Sequence, residues 1–204
     1  MAVNSKGKEI TSIWTPANII TCVRIVFIPL FMILSEMAFD GAASGLAWAA
    51  FAIYLALSLT DKVDGDLARK RGEVTDFGKF LDPIADKLLV FSALLILLEH
   101  QLVGVWAVFI IMFREFLVSA LRMVASANGE VIAADKLGKA KTAVTMLSLC
   151  GYLLYVALDF GNAAPGLTQL LGTISWALMI AAVVLTVVSG LQYFWNARHV
   201  VFRV

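Results

Sequence analysis

Cysteine and histidine are scarce in this chain of 204 residues, which contains only two of each. Cys22 and Cys150 each lie inside an apolar segment, so we expect two buried thiols rather than a disulfide or a metal site. His100 and His199 stand apart from any cysteine or carboxylate cluster, and we expect both to be solvated. The function therefore does not depend on a zinc centre or a disulfide framework.

Charge is also sparse, because charged residues make up 15% of the chain and hydrophobic residues 61%. A soluble domain is usually about 25% charged and about 45–50% apolar. This composition indicates a polytopic membrane protein with a single domain, residues 1–204, and no separate soluble part. The formal net charge is +1, so bulk charge indicates no nucleic-acid partner.

Six apolar segments are long enough to cross a bilayer, which requires about 20 residues of helix. Polar or glycine- and proline-bearing breaks separate them. The predicted spans are 17–35, 44–69, 79–98, 103–127, 138–159 and 169–195. We therefore expect an all-α fold of six transmembrane helices, with a short interfacial segment before Pro16.

Lysine and arginine are distributed unevenly between the predicted loops. The loops after the first, third and fifth spans contain neither residue, whereas those on the opposite side are basic. Since positive loops stay in the cytoplasm, both termini should be cytoplasmic. The predicted location is the bacterial inner membrane.

Eight residues at fixed spacing lie where the second span ends and the third begins. Those predicted to share one face of span two are Asp61, Asp64, Gly65, Ala68 and Arg69. Those that recur every fourth residue on span three are Gly78, Asp82 and Asp86. Two helices joined by a short cytoplasmic turn can thus direct four carboxylates toward one place.

Four clustered carboxylates would repel one another, and desolvation would add to the cost of keeping them ionised. Divalent cations would remove this penalty, and oxygen ligands favour Mg²⁺, Mn²⁺ or Ca²⁺ over zinc. A pair of such metals can stabilise both the attacking and the leaving oxygen of a phosphoryl transfer. Small residues on the same faces would let a bulky substrate approach, and Arg69 could neutralise a phosphate. The alternative is that these are solvated charges at helix ends.

The pattern D-x-x-D-G-x-x-A-R, eight residues, then G-x-x-x-D-x-x-x-D resembles the signature of the CDP-alcohol phosphotransferases. The resemblance implies transfer of a phosphatidyl or related group from a CDP-linked donor to an alcohol, with release of CMP. It implies that two metals, Mg²⁺ or Mn²⁺, are bound by Asp61, Asp64, Asp82 and Asp86, with Asp86 also acting as general base. The implied CDP-binding residues are Asn18, Thr21, Asp61, Gly65, Ala68, Arg69 and Gly78.

Several cations bear on the identity of the acceptor alcohol. The candidates for binding an acceptor phosphate are Arg114, Arg122, Lys139 and Lys141. These segments most resemble family members that use CDP-diacylglycerol as donor and sn-glycerol 3-phosphate, a dianion, as acceptor. The lysines could instead be topology determinants. Arg24 and Arg114, deep in apolar segments, could be structural ion pairs, and Arg114 could pair with Glu115.

Two alternatives stay open at this point. One is another acceptor within the same family, either phosphatidylglycerol, as in cardiolipin synthesis, or an inositol phosphate. The other is a cation transporter, although its acidic residues should be distributed through the depth of the bilayer rather than gathered on one side. The family resemblance also implies a homodimer.

Overall fold

A computed structural model of the chain describes residues 14–41, 43–71, 75–129, 136–161 and 164–201, which form helices joined by short turns. At 61–71, 76, 79, 127 and 199–201 the backbone alone is described. The all-α fold expected from composition is confirmed. Residues 1–13 of the predicted interfacial segment before Pro16 lie outside the described ranges.

Six helices follow one another along the described chain. They are α1 (Pro16–Phe39), α2 (Ser44–Arg71), α3 (Asp76–Glu99), α4 (Val105–Ala127), α5 (Lys136–Phe160) and α6 (Pro165–Val201). Each corresponds to one predicted apolar segment. The largest differences are that α1 ends four residues later than predicted, that α3 begins three residues earlier, and that α6 extends beyond its segment at both ends.

Local capping explains two of the helix starts. Thr15 is the N-cap of α1, where its hydroxyl accepts a hydrogen bond from the Asn18 backbone N–H at 3.3 Å, and Pro16 occupies the first turn. Thr75 does the same for α3, because its Oγ1 accepts from the Gly78 backbone N–H at 3.0 Å. Hydropathy could not place this start, since the first residues of α3 are polar.

Three helices in the described part of the chain are long and apolar enough to cross a membrane. They are Pro16–Phe39, Lys136–Phe160 and the portion Pro165–Arg198 of α6. A shorter apolar stretch, Ser44–Thr60, lies within α2. Large apolar side chains remain exposed along these helices, such as Val26 at 70% and Leu191 at 68%, as expected of surfaces that face lipid.

The described residues form two compact units, one up to residue 96 and one from residue 97. In the first, α1 packs against α2, and the buried rings of Phe31 and Tyr54 lie 5.2 Å apart. In the second, α6 packs against both α4 and α5.

Candidate functional site

Asp82 and Asp86 lie one helical turn apart in the N-terminal half of α3. Their carboxylates are exposed, with the Asp86 side chain at 50% relative exposure. The Thr75 cap determines where α3 begins and therefore the height at which each carboxylate lies. The predicted i, i+4 spacing on one helix is thus confirmed for these two residues.

Three polar residues of α1 reach α3 from an otherwise apolar helix. Asn18, Thr21 and Arg24 recur every third residue and are almost completely buried, at 4%, 1% and 1% exposure. The Asn18 amide Nδ2 donates a hydrogen bond to Thr75 Oγ1 at 2.7 Å. One side of α1 therefore lies against the N-terminal end of α3.

The other two of these α1 residues, Thr21 and Arg24, contact the aspartates. The Thr21 hydroxyl donates to Asp82 Oδ1 at 2.9 Å. Arg24 Nη1 donates to Asp86 Oδ1 at 3.1 Å, which makes a buried guanidinium the partner of a half-exposed carboxylate. Residues 18, 21 and 24 thus meet 75, 82 and 86 in the same order, as expected for helices that run in the same direction.

Gly78 lies where α1 and α3 come closest. A Cβ atom at this position would be 2.5 Å from Asn18 Oδ1 and 3.3 Å from Thr75 Oγ1. Sequence reasoning predicted that a small residue here leaves room for a substrate. The Asn18 side chain lies beside Gly78, so the glycine is required at least for this close approach, and the role toward a substrate stays a prediction.

The other half of the predicted metal site lies on the last part of α2. Asp61, Asp64, Gly65, Ala68 and Arg69 are helical, as predicted, but their side chains lie outside the described part of the structure. Within the described ranges, no group of three or more histidine, cysteine, aspartate or glutamate side chains could hold a metal ion. The donors that are described, two exposed carboxylates beside a threonine hydroxyl, fit a hard cation such as Mg²⁺ or Mn²⁺.

The second unit contains a buried charge cluster of its own. Arg114 Nη1 donates to Glu115 Oε1 at 3.2 Å, and Lys141 Nζ contacts the same oxygen. Arg114 Nη2 also donates to Ser189 Oγ on α6 at 3.3 Å. One carboxylate on α4 thus contacts two basic side chains, Arg114 and Lys141.

Two glycines make room for this cluster. A Cβ at Gly138 would lie 3.3 Å from Arg114 Nη2, and one at Gly190 would lie 3.1 Å from Arg114 Cγ. Both α5 and α6 therefore pass close to the arginine. The sequence identified Glu115 as a partner for Arg114, whereas the bridge to Lys141, 26 residues further along the chain, was missed.

The other two predicted acceptor-binding cations are exposed. Arg122 Nε donates to Tyr193 Oη at 3.3 Å, and its guanidinium lies 5.6 Å from the centre of that ring. Lys139 is exposed near the start of α5. Sequence reasoning offered an ion pair for Arg24, which the structure shows, but it did not identify Asp86 as the partner. It missed the capping role of Thr75, although a threonine before an acidic helix start was an available signal.

Comparison with known proteins adds a family match. The model for the CDP-alcohol phosphatidyltransferase family matches residues 14–188. That match includes all the helices discussed above except the end of α6.

Curated relatives are similar over most of their length. The chain is 41% identical over 197 residues to the CDP-diacylglycerol–glycerol-3-phosphate 3-phosphatidyltransferase of Bacillus subtilis, covering 88% of this chain and 95% of the relative. It is 36% identical over 177 residues to a probable phosphatidylglycerophosphate synthase of Mycobacterium tuberculosis, covering 87% and 78%. It is 34% identical over 184 residues to the CDP-diacylglycerol–glycerol-3-phosphate 3-phosphatidyltransferase of Haemophilus influenzae, covering 88% of this chain and 91% of the relative.

Proposed function

This chain belongs to the CDP-alcohol phosphatidyltransferase family, and we propose that it transfers the phosphatidyl group of CDP-diacylglycerol to sn-glycerol 3-phosphate. The products are phosphatidylglycerophosphate and CMP. The observation that carries this proposal is the complete signature from Asp61 to Asp86 in a chain 41% identical to a relative of that name.

In the proposed reaction, Asp86 accepts the proton of the acceptor hydroxyl. An alcohol is a poor nucleophile at neutral pH, so a base within hydrogen-bond reach lowers the barrier. The acceptor oxygen then attacks the phosphorus that carries the diacylglycerol, and the bond from that phosphorus to the CMP oxygen breaks. In-line geometry requires donor and acceptor to be positioned together.

The metal ligands in this proposal are Asp61, Asp64, Asp82 and Asp86. Two divalent ions, Mg²⁺ or Mn²⁺, would supply positive charge to the diphosphate when bound. Support comes from the oxygen-only donor set and from the exposure of Asp82 and Asp86. The proposed CDP-binding residues are Asn18, Thr21, Asp61, Gly65, Ala68, Arg69 and Gly78.

For the acceptor phosphate we retain four cations of the second unit, Arg114, Arg122, Lys139 and Lys141. Their environments differ, because Glu115 already neutralises part of the charge of Arg114 and Lys141. Arg122 and Lys139 are exposed, so a dianion can reach them directly. Arg122 is therefore the first residue to test.

The proposed setting is a single domain of six transmembrane helices in the bacterial inner membrane, assembled as a homodimer. Both termini and the active site would be cytoplasmic. The asymmetry of lysine and arginine between the loops supports this orientation.

The test is CMP release by the purified protein with CDP-diacylglycerol and Mg²⁺, comparing four acceptors. We expect release with glycerol 3-phosphate and much less with phosphatidylglycerol, inositol phosphate or serine. Preference for another acceptor would support the reaction class but refute glycerol 3-phosphate as the acceptor. Absence of CMP release with all four, combined with metal flux into proteoliposomes, would favour a transporter.

A further inference from the structure

Arg24 is a charged residue in the middle of an apolar helix. It is 1% exposed and is the largest of the fully buried side chains in the described part of the chain. Four residues on, Ile28 is buried at 4%, whereas the flanking Val23 and Val26 are exposed at 47% and 70%. The arginine thus lies on the inner face of α1, where a charge is costly unless it is paired.

The two members of the Arg24–Asp86 pair are exposed to very different degrees. The arginine is at 1% exposure and the aspartate at 50%, with 3.1 Å between Nη1 and Oδ1. A guanidinium is rigid and planar, so it restricts the orientation of the carboxylate that it contacts. The buried side of the pair is thereby held in place while the carboxylate remains accessible.

The neighbouring contacts restrict Arg24 itself. One turn earlier on α1, Thr21 holds Asp82 at 2.9 Å, and before it Asn18 holds the Thr75 cap at 2.7 Å. Together with the Arg24–Asp86 contact, these hydrogen bonds fix the register between α1 and α3 from Thr75 to Asp86. A shift of Asp86 along α1 would have to break its contact with Arg24, and the hydrogen bonds of Thr21 and Asn18 resist such a shift.

We propose that Arg24 is a positioning residue that holds the Asp86 carboxylate in the orientation needed to take the acceptor proton. This inference rests on the proposed function, in which Asp86 is the general base. In this proposal Arg24 acts through Asp86 rather than directly on either substrate. Its removal should therefore reduce turnover more than it reduces the binding of either substrate.

The main experiment compares Arg24→Met, which has a similar length and no charge, with Arg24→Lys, which retains the charge. For Arg24→Met we expect kcat to fall about 100-fold, since a displacement of about 1 Å in a reacting group can have this effect. The KM for each substrate should change less than about threefold. Arg24→Lys should recover about a tenth of wild-type kcat, because an ammonium can pair with Asp86 without the planar geometry.

A binding measurement separates positioning from a general structural role. Mn²⁺ affinity in the absence of substrates, measured by electron paramagnetic resonance, should be unchanged or tighter in Arg24→Met. The reason is that a cation beside a proposed metal ligand has been removed. Ser35→Ala is the matched control, because Ser35 is buried on the same helix at 2% and bonds to the Phe31 carbonyl of its own helix.

Each outcome decides between the possibilities. Wild-type kcat in Arg24→Met or in Arg24→Lys overturns the inference. Loss of Mn²⁺ binding by more than about tenfold in both variants shows that Arg24 maintains the structure of the site rather than the orientation of one carboxylate. If Arg24→Met does not fold, the Arg24→Lys values of kcat, KM and Mn²⁺ affinity give the same decision. If the wild-type protein releases no CMP, the proposed function fails instead.

Discussion

Substitution of Gly78 by alanine tests how closely α1 approaches α3. The added Cβ would be 2.5 Å from Asn18 Oδ1, which no side chain tolerates without a shift. Relieving the overlap would move Asn18 and weaken its hydrogen bond to Thr75 Oγ1. Overpacking of this kind costs about 1–3 kcal/mol and a lost hydrogen bond about 0.5–1.5 kcal/mol.

A helical alanine recovers about 1 kcal/mol relative to glycine, so the net loss should be about 2 kcal/mol. For a protein of this size, that corresponds to a decrease in Tm of about 4–8 °C. The assay is thermal unfolding of the purified protein in detergent, followed by circular dichroism. CMP release should decrease as well, because Asn18 and the Thr75 cap lie at the start of the helix that carries both aspartates.

Gly45→Ala provides the matched control. Gly45 also lies in a helix, α2, but a Cβ there would have nothing within 4 Å. Gly45→Ala should therefore leave Tm unchanged or raise it slightly. If Gly78→Ala unfolds at the wild-type temperature, or behaves like the control, the close approach between α1 and α3 is refuted.

Three further substitutions address the carboxylate base, the acceptor and the charge cluster. Asp86→Asn should abolish CMP release while the protein stays folded and inserted; full activity would remove Asp86 from the role of base. Arg122→Ala should raise the KM for glycerol 3-phosphate at least tenfold, and an unchanged KM would remove Arg122 from the acceptor site. Glu115→Gln should lower the free energy of unfolding by about 3–5 kcal/mol, because the buried Lys141 and the largely buried Arg114 would lose their shared counter-charge. Wild-type stability in that variant, measured by denaturant titration, would show that the cluster is not held by Glu115.

The helices follow from local chemistry. Long apolar runs interrupted by glycine, proline and polar residues predict the six helices of the described ranges, because a backbone in apolar surroundings must satisfy its own hydrogen bonds. The starts of α1 and α3 depend on Thr15 and Thr75, whose capping hydroxyls act within one turn of their own helix. Hydropathy averages over many residues, so it placed the start of α3 three residues late.

The carboxylate spacing on α3 and the family signature could be read from residue order alone, because a helix places every fourth residue on one face. The partners of those carboxylates could not be predicted from residue order. Arg24 and Asp86 are 62 residues apart, and Glu115 and Lys141 are 26 apart, so neither pairing follows from helical periodicity. Only the packing of one helix against another decided that a buried arginine meets the proposed base and that one glutamate is shared by two cations. A charge within an apolar segment must find a partner, but its choice among several depends on which helix faces bury each other.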